Sequence, residues 1–88
     1  MRIKNGFMLR KLAGQSVVVP LGARVVEFNG IMTLSESGAL LWQKLQDGAT
    51  EDELVQEILS NYNIDENTAR TDVKAFIESM SARNILEL

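Results

Sequence analysis

The sequence predicts an α+β fold in which a small antiparallel N-terminal β-sheet is followed by three α-helices, and three observations carry that prediction. Residues up to Leu34 hold short alternating or β-branched runs separated by glycine-containing breaks. From Leu34 onward the apolar spacing changes to the helical period, and each of three helical segments begins with its own start signal. With 88 residues, the chain is of a size that buries only about 60–65% of its unfolded surface, which argues against a deep enclosed active site. We expect one domain over residues 1–88.

The elements follow in order. Phe7 to Leu12 alternates loosely, Ala13-Gly14 breaks it, and Ser16-Val17-Val18-Val19-Pro20 is a β-branched run closed by the single proline, so the two runs form a hairpin. Leu21-Gly22-Ala23 is a loop. Arg24 to Phe28 fits either a strand or a helical turn, and we expect an irregular connection there. Asn29-Gly30 is the dipeptide that best tolerates the positive φ of a tight turn, and Ile31-Met32-Thr33-Leu34 supplies one further strand.

Ser35 is the expected N-cap of the first helix, whose Ala39, Leu41, Trp42 and Leu45 face inward and which Gly48 terminates in left-handed geometry. Thr50 and Glu53 form a capping box at the start of the second helix, where Glu51, Asp52 and Glu53 also suit the positive end of the helix dipole. Its apolar face is Leu54, Val55, Ile58, Leu59 and Tyr62. Asp65 caps the third helix, in which Ala69, Val73, Phe76, Ile77 and Met80 recur on one face. Asn84 ends it, before Ile85-Leu86-Glu87-Leu88.

Composition excludes much chemistry. Hydrophobic residues make up 45% and charged residues 24% of the chain, the balance of a globular domain. There is neither Cys nor His, which removes disulfides, thiol nucleophiles, the usual zinc sites and any imidazole base. Glu51, Asp52, Glu53 and Glu57 all fall in the first two turns of one helix, where acids serve the dipole and solvation; they do not form a metal cage. The glycines are scattered, without the strand-then-helix cluster that cradles phosphate. We therefore expect no enzyme activity, no cofactor and no metal. No apolar run approaches the ~18 residues of a membrane span and no signal peptide is evident, so no membrane association and a cytoplasmic location are expected.

The net charge of −3 is unevenly spread: residues 1–24 carry five bases and no acid, whereas residues 25–88 carry four bases and twelve acids. The second and third helices have helix-turn-helix spacing. A duplex reader, however, needs bases on its reading helix, and here Arg70, Lys74 and Arg83 alternate with Glu66, Asp72 and Glu78. We expect no nucleic acid partner. An exposed sheet edge beside an apolar helix would instead suit an extended peptide, unless the chain's own termini cover it.

The run Phe28-Asn29-Gly30-Ile31-Met32-Thr33-Leu34-Ser35-Glu36-Ser37-Gly38-Ala39-Leu40-Leu41-Trp42-Gln43-Lys44-Leu45 resembles the entry into the first helix of PqqD-like proteins, named for pyrroloquinoline quinone biosynthesis protein D. Asp72-Val73-Lys74-Ala75-Phe76-Ile77 is similar to that family's Asp-Val-x-x-Phe-Leu pattern on the third helix, and the likeness extends over nearly the whole chain. Ser35 stands where the family usually has Asn, and either residue caps a helix. The resemblance implies a winged-helix-like fold and a leader-peptide chaperone of natural product biosynthesis. Such a recognition element binds the leader of a ribosomally made precursor peptide as an added strand between the third strand and the third helix, and presents it to a maturation enzyme, often a radical SAM protein.

Transferred to this chain, the resemblance implies a peptide site of Ile31, Met32, Thr33 and Leu34 on the strand and Asp72, Val73, Phe76, Ile77 and Met80 on the helix. Trp42, Val73 and Phe76 also read as core, because so small a domain needs their apolar area, and Met80 suits either role. The same edge can pair with a second copy to give a homodimer. The alternative readings are a winged-helix DNA-binding protein and a non-catalytic scaffold subunit.

Overall fold

The computed structural model of the protein describes every residue from Met1 to Leu88 except Asn29. Among the described residues nine elements follow in order: β1 (Arg2–Ile3), β2 (Phe7–Leu12), β3 (Gln15–Pro20), α1 (Arg24–Phe28), β4 (Met32–Leu34), α2 (Glu36–Gln46), α3 (Glu51–Asn61), α4 (Glu66–Ala82) and β5 (Leu86–Glu87). The α+β reading holds. The three expected helices are α2, α3 and α4, and the expected third strand is β4.

β2 and β3 form the anticipated hairpin, paired from Phe7↔Pro20 to Leu12↔Gln15. Ala13 and Gly14 take φ of 51° and 80° at its tip. Two consecutive positive φ values let a two-residue turn match the right-handed twist of the strands, which a glycine at the second position makes easy. β4 joins antiparallel to β3 with Ser16↔Leu34, Val17↔Thr33 and Val18↔Met32 in register, so the sheet order is β2-β3-β4.

Three expectations are corrected or refined. Arg24–Phe28 is a short helix, not an irregular connection. Phe28 meets Phe7 edge-to-face with ring centroids 5.2 Å apart, and Arg24 lies 5.5 Å above the Phe7 ring. These tertiary contacts settle what periodicity over five residues left open. Ile31 lies outside β4, which spans three residues. The two-residue strands β1 and β5 were not separately anticipated; they pair as Arg2↔Glu87 and Ile3↔Leu86, tying the two ends of the chain to each other. The expected tight turn at Asn29-Gly30 falls partly outside the described residues, and Gly30 has a φ of +113°.

The core is one cluster between the sheet and the helices. Val18, Met32 and Leu34 from the sheet join Leu41, Trp42 and Leu45 of α2, Leu54, Val55 and Ile58 of α3, Ala69, Val73 and Met80 of α4, and Ile85 and Leu86. Trp42 is fully buried, and among the described residues its Nε1 is the buried side-chain polar atom without a hydrogen-bond partner. The helix starts are as expected. Ser35 Oγ accepts from the Gly38 N–H at 3.1 Å, and Asp65 Oδ1 accepts from the Thr68 N–H at 2.7 Å. Thr50 and Glu53 close a capping box in which each side chain accepts from the other's backbone N–H, at 3.1 and 2.9 Å. Arg70 of α4 reaches Glu51 at 2.8 Å and Asp52 at 2.9 Å, joining α4 to the first turn of α3.

Backbone donors at two caps make stability depend on pH. Hydrogen bonds from Thr50 hold the Glu53 carboxyl below the ordinary glutamate range, and those from Thr68 do the same for Asp65. Both folded-state pKa values are depressed, so the contribution is present above the unfolded values of about 4 and is lost as pH falls through the folded ones. We expect the urea midpoint to fall on acidification below about pH 4.5, and an Asp65→Asn, Glu53→Gln variant to show a shallower fall over the same range. A second expectation concerns Met80, which is 1% exposed. Met80→Asp should prevent cooperative folding, and Met80→Ala should cost about 2–5 kcal/mol, read from denaturant curves followed by Trp42 emission.

Candidate peptide-binding site

The site is built around β4. Alternation along this strand turns Met32 and Leu34 into the core, where they are 8% and 9% exposed, and turns Thr33 to the opposite, exposed face. One side of β4 is paired with β3. Its other side has no strand partner among the described residues, so it is a sheet edge with unsatisfied backbone groups. Neither β1 nor β5 pairs with it, since these two strands form a separate sheet.

At the end of β4 the first turn of α2 and the side of α4 converge. A Cβ built on Gly38 would lie 3.5 Å from both the Leu34 Cβ and the Phe76 ring, and 3.3 Å from Ser35 Oγ. The Phe76 ring thus packs against the first turn of α2 beside the strand end, and the tightest neighbour of Gly38 is the capping Ser35 hydroxyl. Beyond this contact opens a cleft of about 270 Å³, with Leu41, Ile58 and Phe76 as apolar walls and Ser35, Ser37 and Asp72 among the polar lining groups. Such a combination, an apolar recess with a few polar groups, suits a single side chain of a larger ligand.

A second cleft of about 490 Å³ lies on the β3 side of the same junction, between Lys11, Gln15 and Ser16 and the α2 residues Glu36, Leu40 and Gln43. Tyr62 lines both clefts, and its hydroxyl donates to Glu36 Oε1 at 3.2 Å. Partial desolvation, and then the Glu36 carboxylate, push the Tyr62 pKa above its ordinary value, so the hydroxyl stays a donor at neutral pH.

The nine residues singled out from sequence divide by burial. Met32, Leu34, Val73 and Met80 are core, with Val73 at 0% and Met80 at 1% exposure. Phe76 and Ile77 are half-buried and pack against that core, while Ile31, Thr33 and Asp72 are exposed. The first group lies within the core; the second and third keep accessible surface. Sequence reasoning missed Ser37, Gly38, Tyr62 and Ile64 as cleft residues. Tyr62, the C-cap of α3, is half-buried and packs against the core with the apolar face of that helix, as the spacing predicts. Nothing in the spacing of these four signals that three helices bring them together.

The arrangement offers little chemistry. Among the described residues no group of three or more Asp, Glu, His or Cys side chains is placed to hold a metal ion. Among the described residues no helix is long and apolar enough to cross a membrane. On α4, Arg70 is engaged by Glu51 and Asp52, which leaves Lys74 among the exposed acids Asp72 and Glu78. A phosphate-facing stripe is not formed by such a surface.

Two solved structures share the fold. The complex described as TbiB1 with the TbiA(beta) leader peptide is 22% identical, with a TM-score of 0.78 over 99% of this chain and 95% of that one. Lasso peptide synthetase B1 complexed with the leader peptide is 20% identical, with a TM-score of 0.75 over 96% of this chain and 93% of that one. No curated protein sequence matches the chain. The model of the family described as coenzyme PQQ synthesis protein D matches residues 9–86, from within β2 to within β5, and by that match the chain belongs to the PqqD family.

Proposed function

We propose that the protein binds the leader segment of a ribosomally made precursor peptide and presents it to the enzyme that modifies the peptide. The observation that carries this reading is the unpaired edge of β4 with Phe76 and Ile77 of α4 half-buried against the same core. An extended peptide added antiparallel to Met32–Leu34 satisfies the edge's donors and acceptors, and its alternate side chains lie toward α4. Backbone pairing is tolerant of sequence; the cleft walled by Phe76, Leu41 and Ile58 supplies choice. Support comes from family membership and from the two solved neighbours of the same fold, both described with a leader peptide.

In this reading residues 1–88 form one peptide-recognition domain acting in the cytoplasm. The absence of His and Cys supports a role without catalysis of its own, and the family resemblance favours a radical SAM protein as the maturation enzyme. The site is Ile31, Met32, Thr33 and Leu34 with Asp72, Val73, Phe76, Ile77 and Met80. Met32, Leu34, Val73 and Met80 act as its floor.

Titration with leader segments of ribosomal precursor peptides tests strand addition. Thr33→Pro should weaken binding at least tenfold if that N–H faces the peptide; if it faces β3, Met32→Pro should do so. Ile77→Asp should weaken it by a similar factor through lost apolar contact. Because a proline can also disturb β3 pairing, the leader itself is N-methylated at successive positions. Affinity should then fall with a period of two, the signature of a strand bonded along one edge. Flat dependence on methylation, with all variants folded by circular dichroism, would place the groove elsewhere. A winged-helix DNA-binding role would instead show binding that collapses between 50 and 200 mM salt.

The same edge can pair with a second copy in concentrated solution. Sedimentation of any dimer should show it dissociating as leader peptide is added. A dimer that persists at saturating peptide does not use β4.

A further inference from the structure

α4 borders the proposed groove, and the two ends of that border carry opposite charge. Asp72, Phe76, Ser79 and Arg83 recur at steps of four, three and four, so they form one stripe beside the buried Val73 and Met80. At one end of the stripe, Asp72 and Phe76 line the cleft with Ser35, Ser37 and Gly38, where β4 ends. At the other end, Arg83 lines a separate cleft of about 220 Å³ with Phe7, Arg24, Glu27, Phe28 and Asn84. Phe28 stands four residues before Met32, the first residue of β4. The second cleft therefore lies at the start of the strand, its Phe28 wall within about 14 Å of Met32.

A direction follows from this placement. From Asp72 to Arg83, α4 runs from the end of β4 back to its beginning, opposite to the strand. A peptide paired antiparallel to Met32–Leu34 then runs parallel to α4, with its N-terminal side at Asp72 and its C-terminal side at Arg83. Eleven helical steps separate these two residues, about 16 Å at a rise of about 1.5 Å per residue. An extended chain covers that span in about five residues.

Both ends are open to a charged ligand. Asp72 and Arg83 are exposed, and among the described residues neither has an ion-pair partner. Asp72 is the charged residue on its cleft, while on the adjoining cleft Lys11 and Glu36 balance each other. Around Arg83 the bases outnumber the acid. Arg24 is paired with Glu27 at 3.1 Å, whereas Lys4 Nζ donates to the neutral Asn84 Oδ1 at 2.6 Å, so Lys4 and Arg83 keep their charges uncompensated. The C-terminal carbonyls of α4 offset about half a charge there, less than two bases supply. We infer that the groove selects leader segments by charge order: a basic residue held at Asp72, then an acidic residue about five positions further on, held at Arg83 and Lys4. The inference rests on strand addition to β4 and gives it direction. A segment with the opposite order sets like charges together at both ends, which is how an interface rejects a wrong ligand.

The test selects binders to the full chain from a display library of random segments of about a dozen residues, and synthesises those that bind. They should carry Lys or Arg ahead of Asp or Glu at the stated spacing. Copies with the two charges exchanged should bind at least tenfold more weakly at 50 mM salt, and the gap should narrow at 300 mM as screening requires. Asp72→Lys, Arg83→Glu and Lys4→Gln combined should invert the preference, with Trp42 emission reporting an intact fold; glutamine keeps a donor for Asn84. Inversion is a result that a merely structural role for these residues does not give. Binders that lose affinity with a period of two on N-methylation but show no charge order would overturn this inference and leave strand addition standing, and so would a triple variant whose preference is unchanged. Charge-ordered binders indifferent to N-methylation would sink strand addition and keep the charge reading. A library that yields no binder would overturn both.

Discussion

β4 is only three residues long, and the arrangement of the proposed site depends on how it is held. Its period-two alternation commits Met32 and Leu34 to the core, which anchors the strand through apolar burial that its few backbone bonds alone would not provide. Once both side chains are inward, one edge must meet β3 and the other must face away from it. Ser35 then ends the strand and starts α2 in a single residue, its hydroxyl taking up the Gly38 N–H. The strand cannot slip by one position without turning both anchors to solvent, so the open edge is kept in a fixed register.

The helices serve this strand as a wall and a floor. α4 is tied to the start of α3 by Arg70 on Glu51 and Asp52, and Val73 and Met80 are sunk in the core. This anchoring leaves Phe76 and Ile77 half-buried, available from one side and backed from the other. Phe76 also packs against the first turn of α2 at Gly38. The exposed ion pairs themselves stabilise little, but they draw on the one arginine in the first half of α4, and in doing so leave that helix without a basic stripe. The same contact that positions α4 therefore makes it poorly suited to phosphate.

Charge is divided between layers as well. The sheet is basic and free of acid, while the helical part holds the excess acid. The molecule is 20 Å across its thinnest dimension, about two Debye lengths at physiological ionic strength, so a macromolecule approaching one face is largely screened from the other.

Much of the fold was determined by sequence alone. The three helices, their caps at Ser35, Thr50 and Asp65, and the inward faces of α2, α3 and α4 are local properties, set by hydrogen bonds and spacings within four residues of each other. The Ala13-Gly14 hairpin is local in the same sense. Helix formation at Arg24–Phe28 was not legible, because its outcome rests on the Phe7 and Phe28 rings meeting across the fold. Nor was the β1–β5 pair, which joins residues more than eighty positions apart through two backbone pairings with no periodic signature. The candidate site lies between these cases. Residue resemblance named its strand and helix, but burial decided that Met32, Leu34, Val73 and Met80 lie in the core while Phe76 and Ile77 stay half-buried. Gathering Ser37, Gly38, Tyr62 and Ile64 around one cleft needed three helices packed together, and no spacing along the chain encodes that proximity.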